Sequence, residues 1–186
     1  MTLARPHWIC WTDAAGASRL IAAVVCGPQG LFFVRAKVPD WLWCQFLPRR
    51  DNQIGVQEAL AVWLLVSSFK KLLGGALLTI YVDNDGVTAA YIKGSSDSPE
   101  VNSMVALFWL FVSKERLHPL FHRVESEANI ADGPTRPDGV GCSLLRELGA
   151  AELPAYLPGW LANLWHPLAT DALTCEDILL GWADRA

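Results

Sequence analysis

The sequence predicts an α/β fold: one mixed five-stranded sheet, an antiparallel meander joined to parallel strands, with helices on both faces. Three observations carry this. Three short strand-like segments divided by tight turns open the chain. Two later apolar runs of strand length are each reached through a helical stretch, and the two kinds of pattern alternate along residues 1–137. The chain has 186 residues, the size of one domain. At 52 % hydrophobic and 18 % charged it is too apolar for a disordered chain.

Residues 7–12 read as a strand rich in aromatic and β-branched side chains, ending at Asp13. The small residues 14–17 turn the chain into a second strand at 19–26, and Gly27-Pro28-Gln29-Gly30 is turn chemistry leading to a third at 31–38. Arg35 and Lys37 share one face of that strand, which suits an outer strand protected by charge. Residues 54–73 form a long helical pattern closed by Gly74-Gly75. The run 76–82 is apolar on both faces, as expected of a central strand, and it ends at Asp83. A short helix over 86–92, a polar loop, and a helix over 99–117 follow, the last with Ser98 as N-cap and Pro99 at its first position. Residues 120–124 are the fifth strand, and 130–132 open a helical turn.

Two regions are expected: a domain over 1–137, and a Leu-, Pro- and Trp-rich helical extension over 138–186 that packs on it or on a neighbouring domain. In the extension Trp160, Leu164 and Leu168 share a face. Mean hydropathy is +0.25, yet the longest apolar stretches, 59–66 and 104–112, fall short of the roughly 18 residues that span a bilayer. No apolar stretch follows the N-terminal Met, so an intracellular, non-secreted protein with no membrane partner is expected. The five cysteines contain no Cys-x-x-Cys, which excludes a zinc ribbon and points to a reducing compartment. His118 and His122 are divided by Pro119 and make no zinc pair. The P-loop, Gly-x-Gly-x-x-Gly and Gly-x-Ser-x-Gly are absent. A formal charge of −4 excludes a globally basic nucleic-acid binder.

Four carboxylates remain. Asp13 and Asp83 each follow an apolar strand; if those strands are parallel neighbours, both acids sit at the carboxyl ends, where open α/β sheets bind ligands. Glu58 continues the helical stripe of Val62, Leu65 and Phe69, so it faces the sheet, where a carboxylate is costly without a cation or proton. Asp132 follows the last strand. Singly, each has an ordinary reading as a turn former, a solvent-facing acid or a helix-start acid. Together they would repel one another and stay ionised only around cations, and hard oxygen ligands select Mg²⁺ or Mn²⁺. Two such ions about 4 Å apart suit in-line attack of water on a phosphodiester.

The motifs around these acids are Trp11-Thr12-Asp13-Ala14-Ala15-Gly16, Gln57-Glu58-Ala59-Leu60-Ala61, Tyr81-Val82-Asp83-Asn84-Asp85 and Ala128-Asn129-Ile130-Ala131-Asp132-Gly133-Pro134-Thr135-Arg136. In their order, over residues 7–137, the chain resembles an RNase H domain of the type fused to retroelement reverse transcriptases. The resemblance implies an RNase H-like sheet and a metal-dependent endonuclease, ribonuclease H, cleaving the RNA strand of an RNA·DNA hybrid. It implies two Mg²⁺ ions, with Mn²⁺ as a substitute, and a polymerase domain in the same polyprotein as partner. Asp13 would bridge the metals; Glu58 and Asp83 would complete one site, Glu58 near the RNA 2′-hydroxyl; Asp132 would hold the other metal. Asp85 is the weaker candidate beside Asp83.

The loop before Asp132 is Glu125-Ser126-Glu127-Ala128, where many relatives carry a mobile His. His122 is the auxiliary candidate, against its reading as an ordinary strand residue. Asn84, Lys93, Lys114, Arg116, Arg123 and Arg136 are candidate phosphate contacts. Trp41 and Trp43, beside Arg49 and Arg50, are the tryptophans to test for nucleic-acid contact; Trp8, Trp11, Trp63 and Trp109 read as core. A proofreading exonuclease wants Asp-x-Glu on the first strand, and a recombinase wants its last acid on a long helix; neither pattern is present. The non-enzyme alternative is an inert RNase H-like module for nucleic-acid binding or structural connection.

Overall fold

A computed structural model of the chain describes residues 5–48, 50–51 and 53–163. Its sheet is mixed. Strands β1 (His7–Ala15), β2 (Leu20–Gly27) and β3 (Gly30–Lys37) form the antiparallel meander, and β4 (Leu77–Val82) and β5 (His118–Arg123) run parallel to β1. A sixth strand, β6 (Ala151–Glu152), adds to β3, so the order is β5-β4-β1-β2-β3-β6 rather than the five strands expected. Two residues are too short to show alternation; the free edge of β3 makes them a strand. β3 is therefore not the outer strand over Phe32 and Phe33. Nor is Arg35 an edge charge facing water: it is half-buried and donates to the Pro134 carbonyl at 3.5 Å.

The helices are α1 (Asp40–Trp43), α2 (Ile54–Ser68), α3 (Lys70–Leu73), α4 (Asp85–Lys93), α5 (Pro99–Glu115), α6 (Asp132–Thr135) and α7 (Val140–Glu147). α2 is apolar all round and buried from Val56 to Val66, as a helix enclosed between a sheet and other helices must be. On its sheet side it meets β1 and β2; on its outer side it meets α5. Trp63 lies at its centre, packed on Phe108 and Phe111 and donating to the Met104 carbonyl at 3.0 Å. Burying each such side chain is worth about 1.5–3 kcal/mol. The pattern over 54–73 is two helices, broken at Phe69, which leaves helical geometry with its N–H still bonded to Leu65. α5 stops at Glu115 because Arg116 turns left-handed (φ 56°) and the Leu117 N–H reaches back to the Val112 carbonyl at 3.0 Å, a Schellman closure. Ser98 caps α5 and Pro99 opens it as expected.

The opposite face is covered over β1, β2 and β3 by α6 and α7, which close a second, smaller core of Val24, Phe33, Ala131, Cys142, Leu145 and Ala150. Over β4 and β5 no described helix covers this face, which carries the row Trp11–Tyr81–His122, the first two half-buried and His122 exposed, one residue per strand in register, with ring centroids 5.8 and 5.7 Å apart. Trp8 and Trp63 are core; Trp11 belongs to this row, and Trp109 is half-buried. Trp41 and Trp43 sit on the turn of α1, not in a loop. Of residues 138–163, Cys142, Leu145 and β6 meet the sheet, while Trp160 packs edge-on to Trp63 of α2 at 5.0 Å and the Tyr156 N–H donates to Ser68 Oγ, also on α2, at 2.9 Å. Leu164 and Leu168 lie outside the described residues, as does Arg49. No helix among the described residues is long and apolar enough to cross a membrane.

Candidate active site

The parallel register aligns Thr12 with Val82, which brings Asp13 and Asp83 side by side at the carboxyl ends of β1 and β4. β1 continues to Ala15 along β2, so Asp13 lies within the strand and not after it. Glu58, in the second turn of α2, reaches β1: its Oε1 accepts the Ala14 N–H at 3.2 Å. One carboxylate oxygen from each of Asp13, Glu58 and Asp83 lies within 4.8 Å of the other two. Asp13 and Glu58 are 4 % and 3 % exposed, and Asp83 is half-buried. Glu58 Oε2 is buried, and no donor among the described residues reaches it.

Burial pushes Asp13 up from 3.8 to about 6; the Thr135 hydrogen bond opposes this, while the charges of Asp83 and Asp132 add to it. Glu58 rises well above its usual value, through burial first and then the charges of Asp13 and Asp83. Without a compensating cation these groups hold protons they would lose in water. The donor set fits a divalent metal: three hard oxygen ligands within one coordination sphere, one buried oxygen without a donor, and repulsion that a cation cancels.

Three side chains that the sequence reading passed over orient these acids. Thr135, fully buried, places Oγ1 2.5 Å from Asp13 Oδ2 and 2.8 Å from the Asp132 carbonyl oxygen. Asn129 donates to the Thr12 carbonyl at 3.0 Å and to Asp13 Oδ1 at 3.3 Å. Ser126 donates to Asp83 Oδ2 at 2.9 Å from the turn that follows β5. Asn129 and Thr135 lie within the motif ending at Arg136, and that proximity to Asp132 was the available signal; Ser126 had none.

Asp132 does not join the cluster. Its Oδ2 accepts from Arg136 Nε at 2.9 Å and Nη2 at 2.7 Å, and its side chain is 37 % exposed. α6 is set in place by α7 through a backbone contact: a Cβ on Gly141 would lie 2.2 to 2.4 Å from Gly133 backbone atoms. Asp85 is exposed and pairs with Arg123 at 2.8 Å; Arg123 also pairs with Glu125. Asn84 Oδ1 caps α4 by accepting the Val87 N–H at 3.0 Å, so its side chain has a structural task. Lys93 is exposed in the last turn of α4, Arg116 is the left-handed end of α5, and His122 lies on β5 with its ring against Tyr81. Trp43 lies under the Arg19 guanidinium at 5.1 Å, and Trp41 is exposed. A separate apolar cavity of about 680 Å³, lined by Trp63, Phe111, Leu153 and Tyr156 among others, includes none of the four acids.

No protein-family model matches the chain, and no curated protein matches its sequence. Among solved structures it is similar to RNase H1 from the halophilic archaeon Halobacterium salinarum NRC-1, at 12 % identity and a TM-score of 0.45, covering 70 % of this chain and 94 % of that one. Likeness at that level leaves the functional reading to the side chains themselves.

Proposed function

We propose that this chain is a ribonuclease H, a metal-dependent endonuclease that hydrolyses the RNA strand of RNA·DNA hybrids. The observation that carries the reading is the convergence of Asp13, Glu58 and Asp83, two of them buried, around a point where Glu58 Oε2 has no donor. In this reading they hold Mg²⁺, or Mn²⁺ in its place, and Asp132 serves a second ion. Divalent ions so placed supply a nucleophilic water at neutral pH and neutralise charge developing on the phosphate. The chain's own part is orientation. Thr135 and Asn129 fix the Asp13 carboxylate, Ser126 fixes Asp83, and the Ala14 N–H fixes Glu58. Recognition would rest on hybrid shape and 2′-hydroxyls rather than base sequence, with Glu58 near the 2′-hydroxyl. Activity as one piece of a reverse transcriptase polyprotein, beside its polymerase domain, belongs to the same proposal.

A second reading is an inert RNase H-like module for nucleic-acid binding or structural connection. The Arg136–Asp132 pair favours it, because the fourth acid is engaged elsewhere.

A labelled hybrid incubated beside double-stranded RNA and DNA, with Mg²⁺ or Mn²⁺, tests the proposal. The RNA strand of the hybrid alone is cut, and Asp83→Asn abolishes cutting while retaining the fold. Wild-type cutting by that variant would refute the site. Thermal stability titrated with Mg²⁺ separates the two readings: a working site is stabilised as metal saturates it, and an inert one is not.

A further inference from the structure

We infer that Arg136 is a positioning residue that latches the fourth acid: it holds Asp132 out of the cluster until a phosphodiester phosphate takes its guanidinium, whereupon Asp132 is released toward a second cation. The inference rests on the nuclease reading above and names how that site is completed.

Both guanidinium donors, Nε and Nη2, converge on a single oxygen, Asp132 Oδ2. The pair is open to water, with side chains 63 % and 37 % exposed. An exposed pair of this kind shifts an equilibrium by at most about fivefold, so it is exchangeable. A phosphate offers the same fork two acceptor oxygens at once, a stronger match. The main chain of Asp132 is already anchored to the site: its carbonyl oxygen accepts from Thr135 Oγ1, which also bonds Asp13, and its N–H donates to the Asn129 carbonyl at 3.0 Å. Side-chain rotation is therefore enough to free the carboxylate, with no backbone movement. By linkage, a phosphate that favours the second ion is itself bound more tightly when that ion is present.

Two measurements on the full chain test this. Mn²⁺ binding without nucleic acid is followed by the paramagnetic resonance signal of free Mn²⁺. In Arg136→Gln the second ion binds up to about fivefold more tightly, the first is unchanged, and the effect disappears in an Asp132→Asn background; Arg136→Lys restores wild-type behaviour in part. A general charge effect would strengthen both ions and persist in that background. Hybrid binding is then measured by fluorescence anisotropy in EDTA, where no cutting occurs. Loss of a phosphate contact in Arg136→Gln lowers the slope of log affinity against log salt by about one. An unchanged second-ion affinity or an unchanged slope overturns the latch. If the wild-type chain binds no ion, the nuclease reading falls and the latch with it; if wild type binds its first ion and cuts hybrid while Arg136→Gln alters neither measurement, the latch alone falls.

Discussion

The two sides of the acid site are built on opposite electrostatic terms. Asp13 and Glu58 are buried between the sheet and α2, their positions dictated by β1 and the most enclosed helix among the described residues. Among the described residues no ion pair reaches either acid, Arg136 acts on Asp13 only through its charge, and both hold their protons abnormally tightly. Asp132 stands on a four-residue helix at the surface, and Arg136 supplies the countercharge within one turn. The comparison separates a carboxylate that waits for a cation from one already satisfied. Burial of carboxylates without an ion-paired countercharge is expensive in a stable protein, and it is the mark of a site suited to a cation.

The largest expected effect tests the buried side. Asp13→Asn removes a ligand from the cluster and lowers Mg²⁺-dependent hybrid cleavage by at least about a thousandfold, several kcal/mol of barrier, measured by rate on a labelled hybrid. The same variant, in EDTA at pH 7, unfolds at the wild-type temperature or slightly above it, because one of several repelling charges has gone.

Next comes the pH dependence of the metal-free protein. The folded-state pKa of Asp13 lies above its unfolded value, so the folded chain binds the extra proton. Its contribution to stability is fully present below the unfolded value of 3.8 and is lost as pH rises through about 6, about 3 kcal/mol in all. Glu58, raised in the same sense, extends the decline to higher pH. Denaturation midpoints in EDTA across this range fall with pH; saturating Mg²⁺ flattens the curve, and Asp13→Asn removes the lower part of it.

The exposed side is tested by the glycine contact. Gly141→Ala forces a methyl group into the Gly133 backbone, pushes α6 from α7 and costs about 1–3 kcal/mol of stability by denaturant titration. If the two sides are separable, this variant loses cleavage while its first metal ion still binds with near wild-type affinity.

The smallest effect is Thr135→Val, which leaves Asp13 Oδ2 without its hydroxyl donor. First-ion affinity drops about tenfold by calorimetry, and Thr135→Ser restores it. Recovery with Ser and not with Val marks the hydroxyl, rather than the volume, as the acting feature.

The strand–helix alternation, the ends of β4 and the stripe on α2 were legible because each is written in local chemistry: β-branched runs, a double-glycine stop, and apolar spacing that carries Glu58 with it. Asp83, which follows a buried parallel strand, lies with Asp13 and Glu58, whereas Asp85 opens a solvent-facing helix and pairs with Arg123. Other features could not be read locally. β6 is two residues long and exists because β3 offers an unpaired edge. Trp11 looks like core by type, yet strand alternation puts it on the face that α2 does not cover. Ser126 bonds Asp83 only because two loops distant in sequence meet at one sheet end.

The sequence by itself therefore determined the five longer strands, the long helices, their order and which acids could meet, since those follow from propensity, periodicity and turn chemistry over a few residues. Tertiary structure alone decided that three acids share one coordination sphere while the fourth is held by an arginine. Distances of a few ångströms between side chains on separate elements, and the low dielectric that gives those distances their energy, arise only when the sheet and α2 close over the site.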